Sequence, residues 1–163
     1  MREFSTFKRE AAARRGSDVK LEERVRRDLK FLFDQHGAMV KSNTVARYGN
    51  SELLIVVGNL EFQFAQNERD GENRIWVGPR NGHGVWEILF VALAASTGED
   101  VKVLTCPVSF SDDPATLTYI GLTKVAELLE PRFDRLNQAF APQNYASTHS
   151  LMVQIERKAH PSG

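Results

Sequence analysis

Residues 53–64, LLIVVGNLEFQF, decide the fold. The run Leu53 to Val57 consists of leucine and β-branched residues, which is typical of a strand. Gly58-Asn59 then supplies a two-residue hairpin signal. Beyond the turn every second residue is apolar, and this period of two places Leu60, Phe62 and Phe64 on one face of a strand. The stretch therefore predicts an antiparallel β-hairpin with one buried face.

Further strands are predicted on both sides of this hairpin. Met39 and Val40, followed by residues 45–48, indicate a strand before it. After a polar turn centred on Asp70-Gly71, residues 74–77 (RIWV) return as another strand, and Gly78-Pro79 ends it. Together these segments predict an antiparallel meander of about four strands.

Helical spacing of apolar residues appears before and after the meander. A first helix is predicted to begin at Ser17 or Asp18 and to end before Gly37. Its apolar positions follow helical periodicity: Leu21, Val25, Leu29, Leu32 and Phe33. The segment from Val85 to Leu93 predicts a mostly buried helix that Gly98 stops. The meander is thus expected to pack against amphipathic helices.

The C-terminal third leaves two alternatives open. Residues 99–113 contain either a short strand around Val101 to Leu104 or a loop. Asp112 or Asp113 is predicted to cap a helical stripe that starts near residue 115 and continues across Pro131. Such a stripe indicates either two helices in line or one kinked helix, because proline removes a backbone hydrogen bond. A final helix over residues 143–159 is expected to bury the following side chains: Tyr145, Met152, Ile155 and Ala159.

These elements predict an α+β fold with an N-terminal helix, the meander, and C-terminal helices packed on one face of the sheet. With 163 residues the chain is expected to hold one domain, residues 17–163. Residues 1–16 are predicted to be a basic N-terminal arm or a short helix.

Composition and charge exclude several classes of protein. Apolar residues make up 42% and charged residues 26% of the chain, which is typical of a globular domain. The 21 basic and 21 acidic residues cancel, so no global field attracts nucleic acid. Residues 1–30 hold ten basic against six acidic side chains, but alternating signs are typical of a solvated helix face. No nucleic-acid partner is therefore expected from the sequence.

The expected location is the cytoplasm. The single cysteine, Cys106, forms no internal disulfide, which fits a reducing compartment. Charges recur from Arg2 through Lys30 without the apolar core of a secretory signal. The longest apolar run, Ile88 to Ala95, is far shorter than the roughly 20 residues of a membrane helix. No membrane partner is expected.

The order of these segments resembles a group of small bacterial α+β proteins of unknown function. The resemblance rests on RYGNSELLIVV, LEFQF and LNQAFAPQNYASTHS, and it extends over roughly residues 20–158. In its C-terminal part the matching positions are Phe140, Pro142, Asn144 and Tyr145. The resemblance implies the fold and a bacterial origin, and it carries no catalytic residue over to this chain.

The sequence contains no clear residue pattern typical of a catalytic, metal or cofactor site. None of the four histidines, His36, His83, His149 and His160, lies at the short spacings of zinc sites. Cys106 lies among apolar residues beside Pro107, which favours a buried, inert thiol over a nucleophile. The adjacent carboxylates Glu99-Asp100 and Asp112-Asp113 stand where helix caps favour aspartate. No catalytic residue, metal or cofactor is therefore predicted.

One cluster favours recognition: Trp76, Arg80, His83 and Trp86. Tryptophan and arginine dominate binding hot spots, although two tryptophans closing a core between sheet and helix would give the same pattern. The leading hypothesis is a non-enzymatic protein-binding module, whether adaptor, chaperone-like or immunity-like, with homodimerisation among its modes. The alternative is a small-molecule-binding domain or small enzyme with a pocket around residues 80–87, in which His83 acts as acid-base group and Arg80 binds an anion.

Overall fold

A computed structural model describes residues 21–46, 50–67, 72–80, 82, 86–106, 108 and 122–159. In chain order the elements are helix α1 (helical over 21–28), helix α2 (Lys30–Asp34), strands β1 (Met39–Ala46), β2 (Asn50–Val57), β3 (Leu60–Asn67), β4 (Glu72–Pro79) and β5 (Glu87–Ile88), then helices α3 (Leu89–Thr97), α4 (Val101–Leu104), α5 (Leu122–Leu129), α6 (Phe133–Ala139) and α7 (Tyr145–Ala159). A 3₁₀ turn, Glu130–Arg132, joins α5 to α6.

The strands form one sheet in the order β1-β2-β3-β4-β5, and every neighbouring pair is antiparallel. Leu53 pairs with Phe64, which pairs with Ile75, and the three side chains are almost fully buried. Two residues along, a second row with the same orientation contains Ile55, Phe62 and Val77. Because side chains alternate across a strand, these rows define the inner face of the sheet.

The helices cover this inner face. Its apolar rows belong to one hydrophobic cluster with buried side chains from every helix from α1 to α7. These buried side chains include Leu21 and Val25 on α1, Leu93 on α3 and Leu136 on α6, all close to fully buried. Helices on one side of an antiparallel sheet confirm the predicted α+β fold.

The hairpin between β2 and β3 forms at the predicted turn and is held by hydrogen bonds to a helix. Gly58 adopts a φ of 56°, a left-handed conformation that glycine tolerates without strain. The backbone N–H of Asn59 donates to Oδ1 of Asn137 on α6 at 2.8 Å, and Asn59 Nδ2 donates to the Asn137 carbonyl at 3.1 Å. The tip of the hairpin is therefore anchored to a helix 78 residues away in sequence.

The sheet has a fifth strand where the sequence predicted the start of a helix. Glu87 and Ile88 pair with Val77 and Trp76 along the open edge of β4, and α3 begins only at Leu89. The helical spacing of the apolar run predicted the helix correctly but not its first turn, because strand pairing satisfies the backbone at Glu87 and Ile88. At its other end α3 terminates as predicted, with Gly98 at a φ of 77°.

Both alternatives in the C-terminal third are resolved. The segment Val101–Leu104 is the short helix α4, capped by Asp100, whose carboxylate accepts from the Lys102 N–H at 3.0 Å. The short strand and the loop are therefore both wrong for these four residues, and Val103 is 72% exposed. Around Pro131 the chain forms two helices joined by the 3₁₀ turn, because proline cannot donate the hydrogen bond of a continuous helix.

The last helix begins at Tyr145, two residues later than predicted. Met152 is buried as expected, while Tyr145 and Ile155 are partly buried against the core. Ala159 is exposed, which corrects the sequence prediction. A polar residue of this helix, Thr148, is buried as well. Its hydroxyl is satisfied because it donates to the Ala139 carbonyl at 2.7 Å.

Several sequence predictions lie outside the described residues. They include the N-terminal arm 1–16, the cap at Ser17 or Asp18, the turn at Asp70-Gly71, the cap at Asp112 or Asp113, the start of the helical stripe near residue 115, and His83 and His160.

Candidate functional site

The predicted recognition cluster is divided by the fold. Trp76 lies on β4, Arg80 directly follows that strand, and Trp86 directly precedes β5, whereas His83 lies outside the described residues. Trp76 and Trp86 are both partly buried, and neither belongs to the hydrophobic cluster between sheet and helices. The two tryptophans therefore do not close that core.

Trp76 projects from the outer face of the sheet, opposite the helices. In the register it aligns with Gln63 on β3 and Ile88 on β5, and Gln63 aligns with Leu54 on β2. The guanidinium carbon of Arg74 lies 5.9 Å from the centre of the Trp76 ring, within cation-π distance. Trp76 is thus the aromatic member of a row that crosses four strands.

A second row of the outer face lies beside the first and adds apolar surface. Met39 on β1 aligns with Val56 on β2. We call the apolar members of the two rows the outer-face patch: Met39, Leu54, Val56, Trp76 and Ile88. None of them belongs to the hydrophobic cluster beneath the helices. Met39 is 58% and Ile88 37% exposed, so the patch places large apolar side chains in water.

A carboxylate is buried within the second row. Glu61, which aligns with Val56, is only 7% exposed although it lies on the outer face. Its Oε1 accepts a hydrogen bond from Lys41 Nζ at 3.0 Å, and the Lys41 side chain is itself 53% exposed. The apolar patch therefore contains a fixed ion pair, which gives the surface directional as well as apolar character.

Arg80 braces the β2–β3 hairpin. Its backbone N–H donates to the Asn59 carbonyl at 2.8 Å, and its Nη1 donates to the Gly58 carbonyl at 3.2 Å. The guanidinium is exposed, and one of its donors is taken up by this backbone contact. The structure thus gives Arg80 a structural partner that the sequence does not indicate.

A pair of carboxyl groups lies where β5 meets α7, and the sequence reasoning missed it. Glu87 contacts Glu156 of α7, and burial together with this hydrogen-bonded carboxyl raises the pKa of Glu87 to about 7. Burial, with the nearby Glu87 charge, also raises the pKa of Tyr145. The one available signal was that Glu87 alone interrupts an otherwise apolar run.

The other potentially reactive groups of the described region show no sign of an active site or a metal site. Cys106 is buried, and desolvation raises the pKa of its thiol, which makes it a poor nucleophile at neutral pH. No group of three or more His, Cys, Asp or Glu side chains among the described residues is arranged to hold a metal ion. None of the helices in the described ranges is both long and apolar enough to cross a bilayer.

Comparison with known proteins identifies no relative. No family model, no curated protein and no solved structure matches the chain. The geometry of this molecule is therefore the basis on which its function is inferred.

Proposed function

We propose that the chain is a non-enzymatic protein-binding module, an adaptor, chaperone-like or immunity-like protein, that binds its partner through the outer-face patch. The observation that carries the proposal is the position of the patch. Its five apolar side chains share one face of the sheet and lie outside the cluster beneath the helices: Met39 and Ile88 are exposed, Leu54 and Trp76 are partly buried, and Val56 is buried. Surfaces of this kind mark protein interaction sites in soluble domains.

The ion pair between buried Glu61 and half-exposed Lys41 supports specificity in this proposal. A partner that covers Glu61 and Lys41 must complement a fixed charge pair as well as an apolar surface, which rejects partners without matching polar groups. The free thiol Cys106 agrees with a cytoplasmic setting.

The experiment compares partner binding by variants that carry a glutamate on the patch with binding by variants that carry a glutamate at an exposed position outside the patch. The patch variants are Met39→Glu and Ile88→Glu. The matched controls are Val103→Glu on α4 and Leu151→Glu on α7, which are 72% and 45% exposed and lie outside the patch. Tagged proteins are captured from the native host after cross-linking, bound proteins are quantified by mass spectrometry, and light scattering after size exclusion measures self-association.

Support for the proposal is a stoichiometric partner, or a second copy of the chain, that the wild type and both controls retain and both patch variants lose. An empty wild-type capture with a monomeric protein contradicts it. Equal retention by all four variants contradicts the use of this face.

A second candidate function is binding or turnover of a small molecule around residues 80–87. It is favoured by the near-neutral pKa of Glu87 beside Glu156 and Tyr145, since perturbed carboxyl groups concentrate at functional sites. In this candidate Glu87 takes the acid-base role that the sequence gave to His83. A metabolite that raises the melting temperature of the wild type and not of Glu87→Gln supports it, and a complete screen without such a shift contradicts it.

A further inference from the structure

A cleft of about 600 Å³ lies between the corner that joins α3 to α4 and the last turns of α7. Its size falls within the range of small-molecule sites. It lies among the helices, whereas the outer-face patch lies on the opposite side of the sheet. Whatever occupies the cleft therefore does not compete directly with a partner on the patch.

The floor of the cleft is apolar. Val101 and Ile155 line it, and both are partly buried side chains that pack against the hydrophobic core. The floor is thus an extension of the core that reaches the surface, and it offers favourable burial to an alkyl or aromatic group.

The acidic groups of the cleft already have partners within the protein. Both carboxylate oxygens of Glu99 accept from Arg132, each at 2.9 Å, and this pairing lowers the pKa of Glu99. The Asp100 carboxylate accepts from the Lys102 N–H as the cap of α4. Glu99 is therefore compensated by Arg132, whereas Asp100, bonded only to a neutral backbone N–H, keeps its negative charge beside Lys102.

The two lysines of the cleft, unlike Glu99, have no oppositely charged partner among the described residues. Lys102 on α4 and Lys158 on α7 both line the cleft, and both residues are exposed. Within the part of the chain that the structure describes, neither ammonium group forms an ion pair. An anion between them gains two charge-assisted contacts without displacing a protein partner.

We propose that this cleft binds a small carboxylate with an apolar chain, its carboxylate between Lys102 and Lys158 and its chain against Val101 and Ile155. The proposal goes beyond the protein-binding function and does not depend on it, because no residue of the outer-face patch contributes to the cleft.

The test uses octanoate as the probe and octan-1-ol as its neutral counterpart. Titrations of the full chain are followed by the methyl NMR signals of Val101 and Ile155. The variants are Lys102→Gln, Lys158→Gln and the double substitution. The controls are Lys30→Gln on α2, which removes a lysine that does not line the cleft, and Ile88→Glu on the patch.

The expected result is saturable octanoate binding that shifts both methyl signals, is weaker for octan-1-ol, and weakens at least about tenfold in the double variant. Both controls bind octanoate as the wild type does. Absence of saturation, equal binding of the two probes, or unchanged binding in the double variant overturns the proposal. Failure of the protein-binding function alone leaves these titrations unchanged, so the two failures are distinguishable.

Discussion

At the scale of single residues, the tip of the β2–β3 hairpin depends on glycine for two reasons. Gly58 has a φ of 56°, which strains any residue with a Cβ, and a Cβ there meets Oδ1 of Asn137. Gly98 has a φ of 77° but no atom within 4 Å of a Cβ. The two glycines therefore separate backbone strain from a steric clash.

Gly58→Ala is expected to lower the free energy of unfolding by about 2–4 kcal/mol and Gly98→Ala by about 1 kcal/mol, because only the first adds a clash to the strain. Urea denaturation of both variants measures the difference. Equal losses contradict the close approach of Asn137 to the turn.

Cys106 gives a second test at this scale. The residue is 9% exposed, and burial raises the pKa of its thiol. We expect a thiol reagent at pH 7.5 to modify the native protein at least about tenfold more slowly than the urea-unfolded chain. Equal rates under the two conditions contradict a buried thiol.

At the scale of elements, the contact between β5 and α7 depends on a proton. The pKa of Glu87 rises from an ordinary 4.5 to about 7, so the folded protein favours the protonated carboxyl. The stabilisation that follows is fully present below pH 4.5 and is lost as the pH rises through about 7. Above that pH the carboxylates of Glu87 and Glu156 repel each other.

We therefore expect the stability of the wild type, relative to that of Glu87→Gln, to fall between pH 5 and pH 8.5. The amide cannot ionise and so removes this contribution to the pH dependence. Glu52→Gln, at an exposed carboxylate on β2, is the matched control and retains the wild-type profile. Thermal melts at half-unit steps measure the profiles, and identical profiles for wild type and Glu87→Gln contradict the pairing.

At the scale of the whole molecule, the sheet has one face buried beneath the helices and one face that carries the outer-face patch. Phe62 on the inner face is fully buried, so Phe62→Ala is expected to cost about 3–5 kcal/mol. Ile88 on the outer face is 37% exposed, so Ile88→Glu is expected to cost less than about 1 kcal/mol. Chemical denaturation measures both losses, and similar values contradict the two-sided description.

Local patterns determined the elements and the side of the sheet that is buried. The hairpin at Gly58-Asn59, the alternation through Phe62 and the stop at Gly98 were all predictable, because turn chemistry and periodicity depend on neighbours a few residues away. The same local information favoured a helix at Glu87 and Ile88 and left Val101–Leu104 open. The first outcome depends on a distant partner, the open edge of β4. In the second, the segment forms a helix that leaves Val103 72% exposed, so the apolar residue that suggested a strand is not buried.

The sequence by itself determined the α+β class, the meander and the amphipathic helices, since each follows from the spacing of apolar residues along a few turns or a single strand. Only the tertiary structure decided what the surface groups do. It placed Trp76 beside Ile88 on the outer face, directed Arg80 to the hairpin, paired Glu87 with Glu156, and brought Lys102 and Lys158 into the lining of one cleft. These groups are brought together by strand register and helix packing, which join residues up to 69 positions apart and leave no short-range pattern.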